Sequence, residues 1–323
     1  MTPDYKISAG SADITEPLAK RLISLSITDE AGWVSDALTI VLDNRDEELE
    51  VPSRGKKLSV LLGYKEAALE PMGEFIVDEV EVSFPPAQIT ITGRSADTFT
   101  KDAMSGIKTP KSKSWHEVSY GEIVAAIAAA HGLKPRIEPE LAELLAEHLD
   151  QTGESDIAFL NRIVEEAGGF VKIAGGTLIV AEAGSLDIPP AVLKPSDISS
   201  WRCRIAERGK YSSCQARYRD RKAAEEKSVT IGRGEPVYRM PYLYASAAYA
   251  SRAAKAKLAE LVQGVHTLEL KAIGNPAIST ETPLSLAGVS AYVDGDWVAK
   301  SCTHQLDASG YTTSINATKR SKT

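Results

Sequence analysis

QTGESDIAFLNRIVEEAGGFVKIAGGTLIVAE, residues 151–182, reads as a capped helix running into a tight hairpin. Ser155 can accept a hydrogen bond from the first helical turn, and Glu154 and Asp156 place negative charge at the positive end of the helix dipole. At about 100° per residue, Ile157, Leu160 and Val164 share a face that Phe159, Ile163 and Ala167 widen. Ala158, Arg162, Glu165 and Glu166 take the opposite arc, so one broad side is buried and the acids read as cap and surface charges. Gly168 and Gly169 supply a left-handed stop. The β-rich runs Phe170 to Ile173 and Thr177 to Val180 then flank a turn at Gly175-Gly176.

Working outward, the preceding segment is also mixed. Ser119-x-x-Glu122 is a capping box for a helix carrying Ile123, Val124, Ile127 and Ala130, closed by His131-Gly132. After Pro139 the spacing predicts a second helix, with Leu141, Leu144, Leu145 and Leu149 inward and Glu140, Glu143 and Glu147 outward. Residues 106–190 thus form an α+β insert. Residues 1–105 alternate as antiparallel strands, with Ile23, Leu25 and Ile27, then Leu38, Ile40 and Leu42, then Leu58, Val60 and Leu62 on one face. Trp33, in a turn segment, is a core plug or an exposed contact. Residues 191–323 return to strands at 198–206, 211–218, 265–273, 284–293, 297–306 and 311–318. They are interrupted by a charged, mobile loop at 220–234 and a helix at about 246–263 capped by Ser246. The class is mainly β: a β-barrel domain at each end bracketing a mixed middle domain.

Composition narrows the function. A chain of 323 residues with 43% apolar residues holds two or three cored domains, and a net charge of −7 argues against a dedicated nucleic-acid binder. Cys203, Cys214 and Cys302 form no finger spacing and suit a reducing compartment. The N-terminus lacks a secretory signal, and the longest apolar run, Ile123 to Ala130, is short of the ~20 residues of a membrane span.

No catalytic, metal or cofactor motif emerges. Glu138, Glu140, Glu143 and Glu147 could be read as a lytic acid pair, yet three of them fall on one solvated helix face. His116, His131, His148, His266 and His304 show no HExxH or facial-triad spacing, and no GxSxG, Walker loop or dinucleotide fingerprint occurs. One feature stands out in an acidic protein, a basic band between Trp201 and Lys222 that includes Arg202, Arg204, Arg217, Arg219 and Arg221. It is open to three readings: a solvated strand face, a contact with an acidic protein surface, or the lining of a nucleic-acid channel.

Gln151, Glu154-Ser155-Asp156, Phe159-Leu160, Arg162, Glu165-Glu166 and Gly168 resemble a motif of the late control D family of contractile phage tails, shared with the hub half of type VI secretion spike proteins. Trp297-Val298, Ser301, His304, Leu306-Asp307, Gly310-Tyr311, Thr313 and Ile315 match the family's C-terminal signature. The resemblance implies a non-enzymatic baseplate hub of a phage tail or tailocin, assembled in the host bacterial cytoplasm. Its terminal domains would be tube-protein-like barrels. They would form a homotrimeric ring, braced from outside by the insert, that joins a six-fold tube to a three-fold spike. Implied partners are the spike, the tube protein, other baseplate components and tape-measure protein, with DNA only as passing cargo. The competing expectation is a tail-associated protein that binds or degrades peptidoglycan.

Overall fold

The computed structural model describes residues 1–30, 36–49, 53–96, 104–182, 188–206, 211–220, 223–263 and 266–320. Trp33, Arg221 and Lys222 lie outside them. The chain sorts into two units: Met1–Thr100 with Ile188–Cys203 and Leu268–Ala317, and Lys101–Asp187 with Arg204–Thr267 and Thr318–Thr323. This grouping differs from three consecutive segments divided at 105 and 190. The ends of the chain share a sheet, and much of the last third joins the middle.

In the first unit, strands run in the order Ile198–Ile205, His266–Ile273, Gly310–Lys319, Gly295–Asp307, Leu22–Glu30, Ala37–Asp43, Gln88–Ser95, Glu70–Ser83, Lys57–Tyr64, Pro3–Ala9 and Ala12–Asp13. Ala191–Leu193 and Pro283–Leu286 attach beside this path. The two ends of the chain meet where Gly295–Asp307 pairs antiparallel with Leu22–Glu30, placing Leu306 opposite Leu25 and His304 opposite Ile27. Period-two alternation buries Leu25, Ile27, Leu38, Ile40, Leu42, Leu58, Val60 and Leu62 in an N-terminal core. That core also takes Leu306 and Tyr311 from the last two strands. A separate core gathers around Trp297, with Leu268, Leu270, Leu284, Leu286 and Ile315. Trp297 is fully buried and its indole N–H donates to the Val293 carbonyl at 2.7 Å.

A polar joint runs along the last strand. His304 Nδ1 is 2.8 Å from the Tyr311 hydroxyl and 3.2 Å from Thr313 Oγ1, and its Nε2 faces the Ile278 carbonyl at 2.9 Å. Burial lowers the His304 pKa and raises that of Tyr311, so both stay neutral and serve as hydrogen-bonding groups. Gly274 N–H donates to the Tyr311 carbonyl at 2.9 Å, and the Tyr64 hydroxyl donates to the Gly274 carbonyl at 2.8 Å.

In the second unit, Ser119 caps the Tyr120–Ala130 helix through a full capping box, and Ser155 caps Asp156–Glu166 by accepting from the Ala158 N–H. The hairpin Gly169–Ala174 and Thr177–Glu182 turns at Gly175 and Gly176, both left-handed with φ 55° and 69°. The helix expected after Pro139 is only Pro139–Ala142; Leu145–Glu154 is instead a strand paired with Lys111–Ser119. Leu145 is accordingly exposed, while Ala146 and Gln151 are buried. Helical spacing of leucines lost here to cross-strand pairing along a ten-residue strand. The loop expected at 220–234 contains the strand Glu225–Gly232, paired along its length with Ser213–Asp220. The strand expected over 284–293 stops at Leu286, where Asp294 gathers the N–H groups of Gly288, Val289 and Ser290 into a turn.

The Ala247–Gln263 helix explains why 204–267 leaves the C-terminal segment. Ala250, Ala253 and Ala254 pack on Cys214 and Ala216 of the Ser213–Asp220 strand. On the insert side, Arg252 donates to the Ala167 carbonyl at 3.1 Å and pairs with Glu182. Tyr249 and Tyr120 meet hydroxyl to hydroxyl at 2.6 Å.

Candidate interaction surfaces

The residues that made the sequence recognisable sit at joints of the fold. Asp156, expected as a cap or surface charge, is fully buried, with Oδ2 2.7 Å from His131 Nε2 and 2.6 Å from Lys111 Nζ. Gln151 donates to its Oδ1 at 2.9 Å. Burial alone pushes this carboxyl up, but the hydrogen bonds from His131, Lys111 and Gln151 outweigh it and hold the pKa below the ordinary range. Glu154, also expected at the dipole, pairs with Arg162. Glu166 is raised by desolvation beside Tyr249, and the Tyr120 hydroxyl is pushed up to about 12 for the same reason. These groups hold helices to one another. The buried acid was legible only as a charge, because the His131 and Lys111 that neutralise it lie 25 and 45 positions upstream in the chain.

The basic band divides between two sheets. Arg202 and Arg204 lie on Ile198–Ile205, the terminal strand of the sheet path, where Arg202 is 3.6 Å from Glu269. Trp201 and Ile205 on this strand are 41% and 52% exposed. Arg217 and Arg219 lie on Ser213–Asp220, on the face opposite the buried Cys214 and Ala216, with Arg217 3.5 Å from Glu226. Period two therefore turns Arg217 and Arg219 to solvent on the second unit. Arg202 and Arg204 thus belong to one sheet and Arg217 and Arg219 to another, and Arg221 lies outside the described residues.

Of the expected acid cluster, Glu138 accepts from the Glu182 N–H at 2.8 Å and Glu140 stands 3.6 Å from Arg252. Glu147 falls on the Leu145–Glu154 strand. Cys203, Cys214 and Cys302 are not joined in disulfides. Among the described residues no helix is long and apolar enough to cross a membrane.

The phage tail baseplate hub (GPD) family model matches residues 88–310. The chain belongs to that family. The probable baseplate hub protein of Escherichia phage P2 is 33% identical, covering 98% of this chain and 92% of that protein. A 43 kDa tail protein of prophage MuSo2 from Shewanella oneidensis shares the fold, with TM-score 0.71 at 16% identity over 98% of each chain. So does a type VI secretion system component from E. coli, with TM-score 0.56 at 9% identity, covering 94% of this chain and 74% of that one. The relatives are probable baseplate hub proteins, and the β-rich fold with helices is shared with a phage tail protein and a type VI secretion system component.

Proposed function

We propose that this hub-family chain is a trimeric symmetry adapter, joining a six-fold tail tube to a three-fold spike and enclosing a central channel. One observation carries the reading: a single hydrogen-bonded path unites the two ends of the chain over two separate cores. Three copies of such a body present six β-modules, which resolves the symmetry mismatch. The terminal strand Ile198–Ile205, with exposed Trp201 and Ile205, supports pairing with a neighbouring subunit, since an open edge of this kind is otherwise an aggregation site. The partners would be the spike, the tube protein, other baseplate components and tape-measure protein, with DNA as cargo where the particle carries a genome. Arg217 and Arg219 would meet an acidic neighbour, in a role without catalysis.

Light scattering on the purified chain, alone and with its spike protein, tests the assembly. A mass of three chains, or of three plus a spike trimer, is expected; a strictly monomeric chain that ignores the spike would overturn the proposal. Reversing Arg217 and Arg219 to Glu should weaken association and its salt dependence, and unchanged assembly would remove those two residues from the interface. A muralytic assay should show no lysis; robust lysis would favour a peptidoglycan-degrading role.

A further inference from the structure

His116 and His148 are 32 residues apart, a spacing that matches no metal motif. Antiparallel pairing of Lys111–Ser119 with Leu145–Glu154 sets them directly opposite one another, with Asp150 opposite Ser114. The imidazole Nδ1 atoms are 3.0 Å apart and the ring centroids 4.5 Å. On its other side, His148 Nε2 is 3.0 Å from Asp150 Oδ2, and Asp150 Oδ1 accepts from the Ser114 hydroxyl at 2.6 Å. An ionised carboxylate only accepts, so His148 carries its proton on Nε2 and turns the Nδ1 lone pair toward His116.

Two imidazole nitrogens bound to one ion at about 2.0–2.1 Å and at right angles stand roughly 2.9 Å apart. The pair already has that separation. We propose that His116 and His148 form a divalent transition-metal site, binding Ni²⁺, Cu²⁺ or Zn²⁺ through both Nδ1 atoms, with Asp150 fixing the His148 ring from behind. A carboxylate on the far nitrogen of a ligating histidine is the usual outer support of such sites. Imidazole pairs at right angles suit tetragonal ions best, which puts Cu²⁺ and Ni²⁺ ahead of Zn²⁺. Binding requires the one proton shared between the Nδ1 atoms to move to His116 Nε2, leaving two neutral ligands. Among the described residues no group of three or more His, Cys, Asp or Glu side chains is placed around one ion, so water fills the other positions. The His148 side chain is 53% exposed, which leaves room for it. The ion would staple two strands of the insert, and the proposal stands independently of the hub's assembly.

The test uses the untagged full chain, stripped with EDTA and titrated calorimetrically with CuCl₂, NiCl₂ and ZnCl₂. One ion per chain is expected at pH 7.5, with a higher melting temperature in metal. His116→Gln and His148→Gln should each abolish saturable binding, and Asp150→Asn should weaken it about 10–100-fold while keeping both ligands. His266→Gln is the control and should bind as the unaltered chain does. No saturable binding up to millimolar metal, or binding that survives both His116→Gln and His148→Gln in folded protein, would overturn the site.

Discussion

Replacing Gly274 with alanine probes the joint between the last strand and the N-terminal core. A Cβ built on Gly274 falls 2.2 Å from Cγ and Cδ1 of Tyr311 and 2.6 Å from Cδ2. The ring cannot swing away freely: its hydroxyl meets His304 at 2.8 Å, and its face packs against Tyr64 with centroids 5.7 Å apart. Gly274 does not hold a left-handed φ, so alanine carries no backbone penalty and should even gain about 0.4–1 kcal/mol through the unfolded state. Overpacking a closed site costs about 1–3 kcal/mol and occasionally more, and a contact this short belongs at the top of that range. The net loss should be about 2–3 kcal/mol, a fall of roughly 5–10 °C in melting temperature for a unit of this size. Scanning calorimetry of Gly274→Ala, with and without Tyr311→Leu, measures it. In the Tyr311→Leu background the cost should drop below about 1 kcal/mol. An equal cost in both backgrounds would show that the ring is not what excludes the Cβ, and a wild-type melt would refute the packing argument outright.

Other substitutions test the remaining joints. Asp156 has a folded pKa below its unfolded value, so its stabilisation is present above about pH 4 and lost as pH falls through the folded value; Asp156→Asn should flatten that acid limb in urea midpoints taken from pH 7 to pH 2. Ser119→Ala removes the hydroxyl half of the capping box and should cost about 1 kcal/mol in chemical denaturation, with Ser119→Asp recovering most of it. Trp297→Phe leaves the Val293 carbonyl without its indole donor and opens space in the C-terminal core, for a loss of about 2–4 kcal/mol readable as an early calorimetric transition.

The unit from 151 to 182 was legible because its signals are local. The Ser155 cap, the helical period, the Gly168 stop and the Gly175-Gly176 turn act within a few residues and appear where expected, while Gly169 opens the next strand and Asp156 is buried. The strand at 145–154 was hidden because its leucines fit a helical stripe, and only its partner Lys111–Ser119 reveals the alternation. The strand at 225–232 was hidden by charge: Glu225, Glu226 and Lys227 read as a loop, yet pairing with Ser213–Asp220 needs no apolar face on the solvent side. The surface was the least readable part. Arg202 and Arg217 are near in sequence and on different sheets, whereas His116 and His148 are far apart in sequence and 3.0 Å apart in space.

The pairing of Leu22–Glu30 with Gly295–Asp307 also sets a timetable for synthesis. Thr28 meets Thr303 across a separation of 275 residues, so the edge of an early strand emerges from the ribosome long before the strand that covers it. At about 5–20 residues per second, that interval is on the order of ten seconds to a minute. During it the N-terminal core also lacks Leu306 and Tyr311. The second unit needs little of that late segment, since its helices and hairpins close over shorter loops. A nascent hub therefore carries a finished middle and an unfinished beginning until its final strands arrive, and a ribosome stalled before residue 295 would hold an open sheet edge that invites chaperones or a neighbouring chain.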